Sequence, residues 1–214
     1  MTVVVFGGGG HAKVVSDTVC AAGTYRLIGF LDDRLALGTK LTPSGCSVLG
    51  TRDWLRTAAS SGVSVALGVG DNAVRSEVMS VCESLGIHVA TLIHPSAIVS
   101  RSASLGVGTV VMPLAVVNAD AVVGKGAILN TGVIVEHDCV VGDFAHLSPR
   151  VSLGGGSRVG AGAHLGLGAV VLPGISVGES SIVGAGAVVV RPVPECVVAV
   201  GVPASVRRSL KEQS

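Results

Sequence analysis

A chain of 214 residues suits one or two domains and can bury a real core. Its 15 basic and 14 acidic residues nearly cancel, so the charge footprint of a nucleic-acid or polyanion binder is absent. Apolar residues make up 49% of the chain but aromatics only 2%, which points away from an ordinary globule and toward an interior too narrow for rings.

Val3 to Phe6 reads as a short buried strand, followed at once by Gly7-Gly8-Gly9-Gly10-His11-Ala12 and a helical pattern from Lys13 to Val19. Strand, glycine-rich turn and helix start make an anion cradle, because unpaired backbone N–H groups point at whatever sits there. Gly7, Gly9 and Ala12 fit G-x-G-x-x-A, and Asp32 and Asp33 follow about 20 residues later at the end of a second predicted strand, Arg26 to Leu31. A tight strand-to-helix turn without a ligand has the same sequence signature. Ser64 to Gly68 reads as a third strand, Gly70-Asp71-Asn72 as the cap of a helix running to about Ser84, and Ile87 to Leu92 as a fourth strand. Residues 1–90 therefore read as an α/β, Rossmann-like mononucleotide-binding domain. It is too short for both halves of a dinucleotide fold, which argues against a nicotinamide-dependent oxidoreductase.

From Ile93 to Pro194 the chain repeats every six residues. Each of 17 hexads opens on Ile, Val or Leu, and the fifth position is mostly small. Six is neither a helix nor a plain strand period; it is one flat face of a parallel β-helix, here residues 91–194, with 195–214 left as a C-terminal tail. Three faces make a coil of 18 residues, so residues 18 apart stack at the strand spacing of about 4.8 Å. Glycine after the aliphatic residue, as in Val141-Gly142 and Val159-Gly160, is expected to supply corner conformations. Pattern-breaking residues carry the information, above all Asn130, Glu136, His137 and Asp138. His137 stacks over Gly155, in the middle of Gly154-Gly155-Gly156, which leaves a gap for a thioester with the Gly155 N–H aimed at its carbonyl oxygen. His146 shares a column with His164, and Cys139 reads as core filling.

Cys20, Cys46, Cys82, Cys139 and Cys196 show no CxxC spacing, and their odd number argues against a disulfide framework. Gly, Pro or charge interrupts every apolar run before it reaches membrane-spanning length, and no charged region precedes the first strand. A reduced cytoplasm is the expected setting.

These stretches together resemble a bacterial family. They are Phe6 to His11, Phe30-Leu31-Asp32-Asp33, Gly68 to Asn72, Leu92 to Ala97, Leu129-Asn130-Thr131, Val135 to Cys139, Phe144 to Ser148, and Gly201-Val202-Pro203-Ala204. The family is the hexapeptide-repeat acyltransferases that N-acetylate nucleotide-linked amino sugars, related to the sialic acid O-acetyltransferases. The resemblance implies a left-handed β-helix, a homotrimer with active sites between subunits, acetyl-CoA as cosubstrate and no metal. It also implies a UDP- or GDP-linked amino sugar as acceptor, modified at C4. Carried over by residue, His137 is the general base, Asp138 orients it and the Gly155 N–H faces the acetyl oxygen. Gly10, His11, Asp32, Asp33 and Asn72 surround the nucleotide, while Asn130 and His146 line the sugar. Ser148, Gly155, Gly166, Ala185 and Arg207 follow the CoA. Two departures stand out. Relatives often carry Glu at position 138, which leaves Glu136 as a second candidate for orienting His137. Ser205 stands where a basic residue usually follows Pro-Ala, with Arg207 and Arg208 close behind. O-acetylation of a sialic acid or a similar hydroxylated substrate is the alternative within this class. A zinc hydratase would need three convergent ligands, and His137, His146 and His164 lie 9 and 18 residues apart. A non-enzymatic coil scaffold would have no use for the polar cluster around His137.

Overall fold

The computed structural model describes residues 1–41 and 45–211, which fall into two compact units, Met1–Pro95 and Ser96–Ser214. In the first unit, β1 (Thr2–Phe6) leads into α1 (Gly10–Ala22), β2 (Arg26–Leu31), β3 (Val48–Gly50), α2 (Leu55–Ser61), β4 (Ser64–Leu67) and α3 (Asn72–Ser84). The strands are parallel in the order β3-β2-β1-β4. Val3, Val4 and Val5 have no solvent exposure, as expected of a central parallel strand covered on both faces. α1 buries Ala12, Val15 and Val19, spaced three and four apart, and α3 is capped by the Asp71 carboxylate accepting from Val74 N.

Two details depart from the sequence expectation. β3 and α2 lie between the predicted elements, and the strand expected at 87–92 reduces to one bridge, Val89 to Val65, before the short pair Leu92–Ile93. Because β2 and β4 flank β1 on opposite sides, the strand order reverses beside β1. The crevice beyond the carboxyl ends of β1 and β4 is where open α/β sheets bind ligands.

The second unit is a stack of two-residue strands recurring every six residues from Ile98–Val99 to Val188–Val189. Up to Val170–Val171, each pairs in parallel with the strand 18 residues on. Val122, Val140, Arg158 and Ser176 form one column, Ile128, His146, His164 and Ile182 a second, and Ile134, Ser152, Val170 and Val188 a third. From Val111 onward the opening aliphatic of each hexad points inward, so Val117, Val135, Leu147, Leu153, Leu165 and Val183 form one continuous core with Ala115, Ala127 and Cys139. Residues set apart in the sequence as a tail supply two more strands. Val197–Val200 extends the stack on Ile182–Val183, and Ser205–Ser209 folds back on it antiparallel.

The glycines after the aliphatic residues play a different role from the expected one. They do not turn the corners; they let successive coils touch. A Cβ on Gly142 would lie 2.5 Å from Ala161 N, and one on Gly160 equally close to Glu179 N. The left-handed backbone falls two residues later, at glycines and also at Leu114, Asp120, Asp138, Phe144, Arg150 and Ser180. Among the described residues no helix is long and apolar enough to cross a membrane.

Candidate active site

The first unit holds a cavity of about 600 Å³ at the switch point, lined by Gly7 to His11, Asp32 to Arg34, Arg52 and Gly68 to Asp71. Its floor is bare backbone. A Cβ on Gly7, whose φ is +122°, would sit 2.6 Å from the Gly68 carbonyl oxygen, so the two glycine turns press directly together. Positions 9 and 10 open onto empty space. No side chain caps the start of α1, which leaves its first N–H groups facing the cavity. Asp32 is fixed by an Asx turn, its Oδ1 accepting from Arg34 N and Leu35 N at 2.9 and 3.0 Å. Asp33 accepts from Arg52 N and Nε at 2.8 and 2.9 Å, and the same guanidinium reaches Glu77. His11 is neutral at pH 7: burial, and then the charge of Arg75, lower its pKa to about 4. Asn72 departs from expectation. It does not line the cavity; its Oδ1 accepts from Arg75 Nη2 at 2.8 Å.

In the second unit His137 occupies the corner between Ile134–Val135 and Val140–Val141. Its Nδ1 lies 2.7 Å from Asp138 Oδ2, and both side chains are about two-thirds exposed, at 64% and 66%. The carboxylate holds the neutral ring as the Nδ1–H tautomer and leaves Nε2 as the basic nitrogen. It also raises the imidazole's pKa above the ordinary value, with Glu136 a lesser contributor. The ring lies against Gly155: a Cβ there would be 2.6 Å from both Cε1 and Nε2. The bare glycine therefore makes room for the imidazole itself, not for an open slot between His137 and Gly155. Gly156 N donates to His137 O at 2.9 Å, which locks the two coils in register.

Asn130 and His146 also meet, with Nδ2 3.4 Å from Nε2, although 16 residues separate them. They stand on a different face from the corner that carries His137. Under His146 lies His164, its ring parallel to within 1° at a centroid distance of 4.6 Å, and Ser148 Oγ sits 3.0 Å from His164 Nε2. Gly166 and Ala185 adjoin in successive coils, where a Cβ on Gly166 would be 2.6 Å from Ala185 N. Arg207 is exposed on the last strand.

Residues 2–82 match the PglD N-terminal domain family. The whole structure is similar to PerB from Caulobacter crescentus, solved in complex with CoA and GDP-perosamine. The TM-score is 0.91 and the identity 41%, covering 97% of this chain and 98% of that one. The chain belongs to the hexapeptide-repeat nucleotide-sugar N-acetyltransferases. With that family goes the left-handed β-helix expected from the sequence. The acetyltransferase domain of PglB from Neisseria gonorrhoeae is similar at a TM-score of 0.90 and 38% identity, over 96% of this chain and 99% of that one. UDP-N-acetylbacillosamine N-acetyltransferase of Bacillus subtilis is 42% identical over 106 residues, which are 47% of this chain and 46% of that protein. The match thus spans about half the length of that curated relative.

For a nucleotide-sugar N-acetyltransferase, the residues missed in the sequence are basic. Arg34 and Arg52 stand at the wall of the cavity, and Arg75 is buried behind it. The spacing of Asn72 and Arg75, three apart on one helix, was the available sign for Arg75. The cavity offers backbone N–H groups and guanidinium charge to an anionic ligand, and the His137 corner offers an oriented base. Among the described residues no group of three His, Cys, Asp or Glu side chains is placed to hold a metal ion.

Proposed function

We propose that the protein transfers the acetyl group of acetyl-CoA to the amino group, at C4, of a UDP- or GDP-linked amino-deoxy sugar. The observation that carries this reading is the His137 corner. One imidazole nitrogen is held by Asp138 and the other is left basic and exposed against a glycine backbone. Nε2 takes a proton from the sugar ammonium, and the freed amine attacks the thioester carbonyl. The C–S bond then breaks, the thiolate takes up the second proton given off by the attacking nitrogen and leaves as CoA, and the proton held on Nε2 passes to solvent. Among the described residues no backbone acceptor takes the Gly155 N–H, which makes it the donor for the developing oxyanion. One such donor lowers the barrier by about 3 kcal/mol. Among the described residues no Ser or Cys lies in hydrogen-bond contact with His137, which favours direct attack without an acetyl-enzyme.

The nucleotide diphosphate sits in the glycine cradle, with Gly10, His11, Asp32 and Asp33 around it and Arg34 and Arg52 at the wall. Asn130 and His146 contact the sugar. Ser148, Gly166, Ala185 and Arg207 follow the CoA, with the side-chain-poor Gly166–Ala185 step letting the pantetheine lie close to the coil. The active unit is a homotrimer with sites between subunits. Ile98, Leu114, Val122 and Leu167 are exposed on the outside of the coils, where neighbouring copies would cover them. A cytoplasmic setting fits a donor that is acetyl-CoA and five free thiols. The amine is favoured over a hydroxyl acceptor because the Bacillus subtilis relative is an N-acetyltransferase and PerB is solved with GDP-perosamine.

The test is thiol release from acetyl-CoA with GDP- and UDP-linked 4-amino sugars, beside free sialic acid. His137→Ala is expected to lose roughly 10²- to 10⁴-fold in kcat with an unchanged melting temperature. Equal turnover by the variant and the wild type would remove His137 from the mechanism.

A further inference from the structure

Arg75 is a cation with no solvent exposure at all, on the inner face of α3. Burying a guanidinium is costly unless its donors are satisfied. Here the donors go to the loop that forms one wall of the cavity: Nη1 gives to Val69 O and Gly70 O, both at 3.1 Å, and Nη2 to Asn72 Oδ1 at 2.8 Å. Even with its pKa lowered by burial to about 10, the group remains charged at neutral pH. The loop it holds presses on the other wall, because Gly68 O meets the bare face of Gly7 and Gly68 itself packs on Ala12, at the start of α1. One side chain thus fixes the spacing of the two backbone turns that bracket the cavity, and places a positive charge behind them.

We infer that Arg75 is a positioning residue for the diphosphate-sugar site, tying the β4–α3 loop against the glycine turn so that the N–H groups at the start of α1 keep their aim. The inference rests on the nucleotide reading of the cavity but not on the acetyl transfer. Arg75 touches no reacting atom in this scheme. Its loss acts on the affinity for the pyrophosphate ligand and leaves acetyl-CoA binding and the chemical step alone.

The experiment uses the full chain and titration calorimetry with UDP-glucose and GDP-mannose. Their pyrophosphate diesters keep a constant charge from pH 5.5 to 8. Arg75→Lys keeps the charge but cannot span three acceptors, and Arg75→Met removes both functions. Asn72→Ala cuts the clamp at its outer end and leaves the buried cation in place, so it stays informative if an Arg75 variant does not fold. Affinity for the preferred diphosphate sugar is expected to fall roughly tenfold in Asn72→Ala and Arg75→Lys, and further in Arg75→Met. In turnover assays the loss should appear in KM for the nucleotide sugar, with kcat and KM for acetyl-CoA within twofold. A merely structural Arg75 would lower the melting temperature while leaving the affinity and KM for the diphosphate sugar where they were, and that result overturns the inference. If the wild type binds neither sugar while still releasing CoA, the nucleotide reading fails with it. Diphosphate-sugar binding without acetyl transfer would instead fault only the proposed reaction.

Discussion

Replacing Gly155 by alanine separates the site from the scaffold. The backbone at 155 lies outside the left-handed region, so an alanine is accommodated there without torsional strain. Its Cβ would arrive 2.6 Å from Cε1 and Nε2 of His137, whereas ordinary contact begins at 3.4 Å. The difference, 3.4 less 2.6, obliges the ring to move by about 0.8 Å. The ring can yield, since it is the exposed end of a side chain, and stability should change by less than about 0.5 kcal/mol. Its chemistry has no such slack. A displacement near 1 Å disturbs the 2.7 Å bond to Asp138 and carries Nε2 off the line of attack. Misplacement on that scale costs on the order of 10²-fold in rate, about 2.7 kcal/mol of barrier. The assay is kcat/KM for CoA release beside a melting curve. Wild-type kcat/KM in folded Gly155→Ala would falsify the view that His137 works from its seat on that glycine.

Asp138→Asn tests the other side of the same imidazole. The carboxylate raises the His137 pKa by stabilising the protonated ring. A general base works unprotonated, so kcat/KM should rise with pH along a limb set by that raised value. With Asn the limb moves to lower pH, toward about 6.5, while the plateau falls because the ring is less basic. A profile between pH 5.5 and 9 that keeps its limb in place would show that Asp138 does not set the titration. In the first unit, Gly7→Ala forces a side chain into φ +122° and onto the Gly68 carbonyl. It should cost roughly 1–3 kcal/mol in thermal stability and weaken diphosphate-sugar binding; unchanged affinity would show that the two turns need not touch.

What the sequence made legible follows from how locally each feature is determined. The hexad register needs only that every sixth side chain be aliphatic, and the 18-residue column follows from it, so the stacking of position 137 on 155 was readable from counting. What fills the space at that step was not, because it depends on a side-chain torsion: the imidazole folds onto the glycine where an open gap was expected. β3 and α2 escaped notice because three and seven residues are too few to display a period. The family resemblance implied that Asn72 sits at the nucleotide, whereas its Oδ1 accepts from Arg75 and its side chain does not line the cavity. Its actual partner, Arg75, had no mark in the sequence beyond its spacing.

The Asp at 138 has a backbone explanation. Position 138 is one of the corners held in the left-handed conformation, with φ +60°. Short polar side chains that bond locally are among the few besides glycine that adopt it readily. From that backbone the side chain needs only one methylene to reach Nδ1 of the preceding residue, and it does so at 2.7 Å. Glu136 lies on the other flank of the histidine and adds only long-range attraction to the imidazolium. The residue that turns the coil is therefore also the one that holds the His137 ring, which on the proposed mechanism gives the orienting role to Asp138.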